Sequence, residues 1–131
     1  MDTGLEIGLT TLVVSDYDAG IDYFVNTLGF QLCEDIHLSG GKRWVVVSPN
    51  HSRHGLLLAK AVNDEQAKAI GNQVGGRVGF FLYTDNFKKT YDSFARKGVK
   101  FCETPRYESY GTVVVFEDIF GNRWDLLQRS E

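Results

Sequence analysis

The sequence predicts an α+β fold assembled from two tandem β-α-β-β-β units. Three observations carry that prediction. Strand-like alternation and helix-like periodicity follow one another in the same order twice. Residues at equivalent points of the two runs match at a constant offset of 69: Asp16 with Asp85, Gly29 with Gly98, Cys33 with Cys102, Glu34 with Glu103, and Val45 and Val46 with Val114 and Val115. The two runs account for the chain except for one short connection between them.

In the first run, Leu9 to Val14 alternates and is rich in β-branched residues, which predicts a strand. Ser15 to Asp18 supplies short oxygen side chains that accept from free backbone N–H groups and so start a helix. Ile21, Phe24, Val25 and Leu28 then repeat at helical spacing, and Gly29 ends the helix at the residue that takes positive φ. An extended stretch from Phe30 to Leu38, a turn at Gly40 and Gly41, a strand from Trp44 to Ser48, a polar loop from Pro49 to His54 and a strand from Leu56 to Ala61 complete the unit.

The second run repeats the order. Val78 to Thr84 reads as a strand, Asp85 and Asn86 as a helix start, Phe87, Tyr91 and Phe94 as its apolar face, and Gly98 as its end. Phe101 to Pro105 is extended, Arg106 to Tyr110 a polar and aromatic loop, and Gly111 to Glu117 a valine-rich strand. Asp118 to Asn122 forms a turn, and Arg123 to Leu127 the last strand. Between the runs, Asp64 to Ile70 is a short helix behind an Asn63 cap, ended by Gly71 and Asn72.

A chain of 131 residues, 43% hydrophobic and 13% aromatic, suits one ordinary domain and is not intrinsically disordered. No run approaches the roughly 20 apolar residues that cross a bilayer. The start, Met1 to Ile7, lacks the basic and apolar regions of a signal peptide, so a cytoplasmic location is expected. A net charge of −3 with no basic run argues against a nucleic-acid partner. Cys33 and Cys102 are too few for a disulfide framework and read as buried thiols that mark the duplication.

The phrase from Val14 to Phe24 followed by Leu28, Gly29 and Phe30, and the closing phrase from Phe116 to Leu126, resemble the vicinal oxygen chelate superfamily of glyoxalase I, extradiol dioxygenases and bleomycin-resistance proteins. The resemblance covers essentially the whole chain. It implies one glyoxalase-like domain, 1–131, whose repeats span about 5–61 and 77–128 and are joined by a linker, 62–76. It implies mixed sheets curled around a central cavity, and a homodimer. In metal-dependent members of the family, His or Glu on the first and last strand of each repeat holds a divalent ion. That ion polarises neighbouring substrate oxygens as a Lewis acid.

Carried over one at a time, those ligand positions fall on Leu9, Leu57, Gly79 and Asp125. Only Asp125 bears a carboxylate, where the family often has Glu, and one carboxylate cannot complete a tetrahedral or octahedral site. The expectation is therefore a metal-independent member with no cofactor.

Asp125 reads as the polar end of a cavity, fixing a cationic or hydroxyl group, as a general base if burial raises its pKa, or as a rim acid paired with Arg123 or Arg43. On the family's ligand face Leu9, Leu57, Gly79 and Phe81 make an apolar lining, with Tyr83, Arg123 and Asp125 at one end. Arg106 offers a charged fork to a ligand carboxylate and Tyr110 a hydroxyl, or else the segment is a hairpin loop with an Arg–Glu surface pair. Trp44 reads as cavity wall or core. His51 and His54 stand three apart in a polar loop, and His37 ends a strand; all three read as solvated.

The expected function is binding of a small aromatic or amphiphilic ligand, in the manner of the antibiotic-sequestering resistance proteins. Two alternatives are a lyase, isomerase or extradiol dioxygenase with a diverged active site, and a non-catalytic structural dimer with a filled cavity.

Overall fold

The computed structural model describes residues 3–52 and 54–131. Met1 and Asp2 of the start, and Arg53 of the polar loop, lie outside the described residues. The chain divides into two compact units, Met1–Val62 and Asn63–Glu131. Each holds one β-α-β-β-β run, the second with an extra short strand, so the fold is α+β with two mixed sheets, and the linker belongs to the second unit.

The first unit contains β1 (Thr10–Val14), α1 (Tyr17–Asp22), β2 (Gln31–His37), β3 (Arg43–Ser48) and β4 (Leu56–Lys60). The sheet order is β1-β4-β3-β2, with β1 parallel to β4 and the other pairs antiparallel. Register puts Leu12, Leu58 and Val45 in one row, and all three are fully buried on the face that α1 covers. The next row, Thr11, Leu57, Val46 and Glu34, belongs to the opposite face.

Arg43 ties α1 to the sheet. Its Nε and Nη2 donate to Asp35 at 3.1 and 2.8 Å, its Nη1 donates to Asp18 at 2.9 Å, and its guanidinium stacks 5.2 Å from the centre of the Tyr17 ring. The hydrogen bonds from Arg43 hold the Asp35 carboxyl below the usual carboxylate range. Arg43 is thus engaged within its own unit.

The second unit contains α2 (Asp64–Ala67), β5 (Phe80–Tyr83), α3 (Phe87–Arg96), β6 (Lys100–Phe101), β7 (Arg106–Glu108), β8 (Gly111–Glu117) and β9 (Arg123–Arg129). Its sheet runs β5-β9-β8-β6, with β7 also on β8 and β5 parallel to β9. The α3 side carries an aromatic cluster. Phe116 stacks on Trp124 at 5.8 Å and meets Phe94 edge-on at 5.6 Å, while Phe80 stacks on Trp124 at 4.9 Å.

Three details depart from the expected regularity. The helix predicted through Leu28 changes at Tyr23 into a π turn, Tyr23–Thr27. Asp16 caps α1, accepting from Ala19 N at 2.8 Å, but Asn86, not Asp85, caps α3, accepting from Lys89 N. The caps therefore stand 70 apart, while Gly29 and Gly98, both at φ +82°, stand 69 apart. The π turn absorbs the extra residue.

On the last strands the offset shrinks again. Val46 faces Leu57 and Val115 faces Asp125, so Leu57 corresponds to Asp125 and not to Leu126. Unequal loops before the last strand cause the slip, and a one-residue slip exchanges faces.

The segment from Arg106 to Tyr110, expected as a loop, begins with strand β7. Gly111 fits the tight return into β8, because a Cβ there would run into the Gln128 carbonyl oxygen. The cysteines are also less enclosed than expected. Cys33 is half-buried and sits where β2 bulges against β3, and Cys102 is exposed just beyond β6. Both remain free thiols at matched places in the two units.

Candidate functional site

The second sheet has one face toward α3 and one open face. Register fixes the membership of the open face, because Phe81 pairs with Asp125, Tyr83 with Leu127, Val115 with Asp125 and Arg106 with Val113. Phe81 and Tyr83, on the edge strand β5, are 58% and 56% exposed, so two large rings stand open to solvent side by side. Leu127 and Val113 are buried between them and β7.

Asp125 stands at the middle of that face and is only 9% exposed. Its Oδ1 is fully buried and has no hydrogen-bond partner among the described residues. Burial pushes the carboxyl above its usual range, Arg106 draws it back down, and Glu103 pushes it up again. A buried carboxylate oxygen without a donor is costly. Such an atom calls for a partner from outside the chain, such as a water, an ion or a ligand.

Arg106 is committed elsewhere. Its Nε lies 3.0 Å from both Glu103 carboxylate oxygens, and its Nη1 donates to Glu108 at 3.2 Å. The Glu103 carboxylate and the Tyr110 hydroxyl beside it keep the guanidinium firmly protonated. Glu103 is itself anchored, since its Oε2 accepts from Val115 N at 3.0 Å, on the residue opposite Asp125. Around Asp125 there is thus one cation already shared by two carboxylates.

The other candidates divide by unit. Tyr110 is half-exposed in the β7–β8 turn, and Arg123 is exposed two residues along β9 from Asp125. Arg123 does not pair with Asp125, so the rim ion pair expected as one reading is not formed. Gly79 precedes β5, and a Cβ there would meet Val74 Cγ2 at 3.0 Å; no metal-ligating side chain fits unless Val74 gives way. In the first unit Leu57 and Trp44 lie on the face opposite α1, and Trp44 Nε1 donates to Glu34 at 2.9 Å. Leu9 directly precedes β1 and is half-buried.

Sequence reasoning passed over Glu103, Glu34 and Arg129. The first two were flagged only as repeat mates, yet each accepts a hydrogen bond on the open face of its own sheet. Arg129 lies over the Tyr83 ring at 4.3 Å, a cation–π contact between strands that no spacing in the sequence announces.

The donors present do not suit a metal ion. Of the four family positions, three carry no donor side chain, and among the described residues no group of three or more His, Cys, Asp or Glu side chains could hold one. His54 Nε2 approaches Glu6 at 3.5 Å, and His51 sits in a strained turn at φ +54°. A separate hollow of about 30 Å³ lies between Gly71, Val74, Gly79 and Asn122, enough for a water molecule but not for an organic ligand.

Removing the charge tests whether Asp125 is a structural liability. Asp125→Asn is expected to stabilise the ligand-free protein by about 1 kcal/mol at pH 7, because a poorly solvated charge becomes a neutral amide. A carboxyl raised in the folded state binds more protons folded than unfolded, so its contribution to stability falls as pH rises through that range. The gain from the variant should therefore shrink as pH falls and approach zero at about pH 3, where both states of the wild type are largely protonated. Urea melts of the two proteins at pH 7 and about pH 3 read this directly, and a loss of stability at pH 7 would contradict it.

Among relatives, a protein of Shewanella frigidimarina (strain NCIMB 400), itself uncharacterized, is 52% identical over 122 residues, covering 92% of this chain and 90% of that protein. The crystal structure of UcmS2 is similar at a TM-score of 0.81 and 26% identity, over 94% of this chain and 97% of that one. TnmS3, an antibiotic binding protein from Streptomyces sp. CB03234, is similar at a TM-score of 0.79 and 26% identity, over 99% of this chain and 100% of that one. The model of the Glyoxalase/Bleomycin resistance protein/Dioxygenase superfamily matches residues 6–126, and with two β-α-β-β-β units in its structure the chain belongs to that superfamily.

Proposed function

We propose that this chain is a metal-independent binding protein for a small aromatic or amphiphilic ligand. The observation that carries the reading is Asp125, a buried acceptor without a donor, set beside the exposed rings of Phe81 and Tyr83. Apolar walls with a few convergent polar groups suit such ligands. Phe81, Tyr83, Leu127 and Val113 supply the apolar floor, Asp125 the polar anchor, and Tyr110 and Arg123 the edge. Residues 1–131 are taken as one domain in this reading, and Leu9, Trp44 and Leu57 are offered as ligand contacts of the first unit taken by itself. The likeness to TnmS3 extends the same reading to antibiotic-like compounds.

No metal enters the scheme, because Leu9, Leu57 and Gly79 have no donor side chain to offer. The reading also takes the protein as a homodimer in the cytoplasm, where its two free thiols stay reduced. Binding here means sequestration: the ligand is held, with Asp125 as its polar anchor.

A thermal-shift screen with polycyclic aromatic compounds tests the proposal. A compound at 100 times its Kd stabilises the folded protein by about 2.7 kcal/mol. That corresponds to a rise in Tm of roughly 5–10 °C for a chain this size. The hit should be lost or weakened in Phe81→Ala. A screen in which no aromatic compound moves the midpoint removes the support for a binding function.

A further inference from the structure

The charge of the ligand can be read from the same face. We infer that the site selects aromatic ligands bearing a protonated amine and rejects aromatic carboxylates. This inference rests on the binding function proposed above and adds the chemical class of the ligand.

Two observations carry it. First, Asp125 Oδ1 is a buried acceptor with no donor among the described residues, on a side chain nine-tenths enclosed. An ionised carboxylate has no hydrogen to give, so the missing partner must be a donor, and an ammonium group supplies both donor and charge. Second, Arg106, the arginine that acts on Asp125, already has its Nε and Nη1 committed to carboxylates, so a ligand carboxylate would have to compete with them. Arg106 Nε is shared between the two oxygens of Glu103, and Nη1 is held by Glu108.

Among the groups that act on Asp125, two negatives, Asp125 itself and Glu103, stand against the single positive of Arg106, which Glu108 also draws on. A ligand cation compensates that excess, whereas an anion adds to it in a partly desolvated place where such repulsion is strong. The remaining arginines do not reverse the balance. Arg123 and Arg129 keep their charge but are exposed to solvent, which screens them; the charges that act on Asp125 are those of Arg106 and Glu103. The exposed Phe81 ring, directly beside Asp125 on the neighbouring strand, gives the aromatic part of the ligand its surface.

Three probes of one shape test the inference: 2-naphthylmethylamine, 2-naphthylmethanol and 2-naphthoate. Binding to the full chain is followed at pH 7 by calorimetry and by the ring resonances of Phe81 and Tyr83, in the wild type and in Asp125→Asn. In the wild type the amine is expected to bind at least ten times more tightly than the carboxylate, with the alcohol between them. In Asp125→Asn the amine should fall to within about threefold of the alcohol. The melting curve of the variant checks that it folds, and Glu103→Gln, which leaves Asp125 in place, provides a second reading: the carboxylate should gain affinity.

A carboxylate that binds as tightly as the amine overturns the inference while leaving the binding function intact. So does an amine preference that survives Asp125→Asn. If none of the three probes moves the Phe81 and Tyr83 resonances, the binding function itself fails, and the inference falls with it.

Discussion

Asp118→Ala is expected to destabilise the protein by about 3 kcal/mol, against a total stability of roughly 5–15 kcal/mol for a domain of this kind. Asp118 is 5% exposed and organises the whole β8–β9 turn. Its Oδ1 accepts from Phe120 N at 2.9 Å and Asn122 N at 3.0 Å, while Oδ2 accepts from Asn122 Nδ2 at 3.0 Å and Trp124 Nε1 at 3.0 Å. Alanine leaves those donors without their acceptor, and Asn122 and Trp124 are too enclosed for water to replace it freely.

The damage should spread to the linker, because Asn122 Oδ1 accepts from Gly71 N at 3.0 Å. Urea denaturation of the variant measures the loss. Asp118→Asn, which keeps one acceptor oxygen, should lose less. A loss below about 1 kcal/mol for alanine would show that the turn holds without its carboxylate.

Phe116→Ala is expected to cost about 4 kcal/mol, in the range for emptying a fully buried aromatic site. Phe116 is 0% exposed and lies at the centre of the cluster on the α3 side, with Trp124 at 5.8 Å, Phe94 at 5.6 Å and Phe101 at 6.5 Å. Three rings cannot close over the space of a fourth without bending β8 or shifting α3. Phe116 also neighbours Val115, whose N–H is bonded to Glu103 and whose cross-strand partner is Asp125. Loss of the ring should therefore weaken ligand binding as well as stability, with Phe116→Leu intermediate in both. Thermal melts and the amine titration report the two effects; a destabilisation under about 1.5 kcal/mol would mean that the cluster repacks.

The candidate site was legible in part. Its apolar members and Asp125 could be named from strand alternation and from the family resemblance, since a strand puts every second residue on one face. The absence of imidazole at Leu9, Leu57 and Gly79 was equally plain. Partnerships were not legible. Arg106 looked like a free fork for a carboxylate, yet Glu103 and Glu108 occupy it, because β7 forms where a loop was expected and holds Arg106 and Glu108 on one face. Asp125 looked equally suited to a rim ion pair, and its burial without a donor depends on β5, β8 and β9 meeting around it.

The chain alone settles the element order, the duplication and the helix-ending glycines, because these follow from local preferences: period two or 3.6, an oxygen side chain at a cap, positive φ at Gly29 and Gly98. Tertiary structure decides what local preference does not encode. It moves the offset from 70 at the caps to 69 at Gly29 and Gly98, through a π turn, and it slips the last strand so that Leu57 and Asp125 correspond. It also determines which charges are already matched and which one is left facing an open surface. Those outcomes depend on residues far apart in the chain, where register and burial, not neighbours in sequence, set the energy.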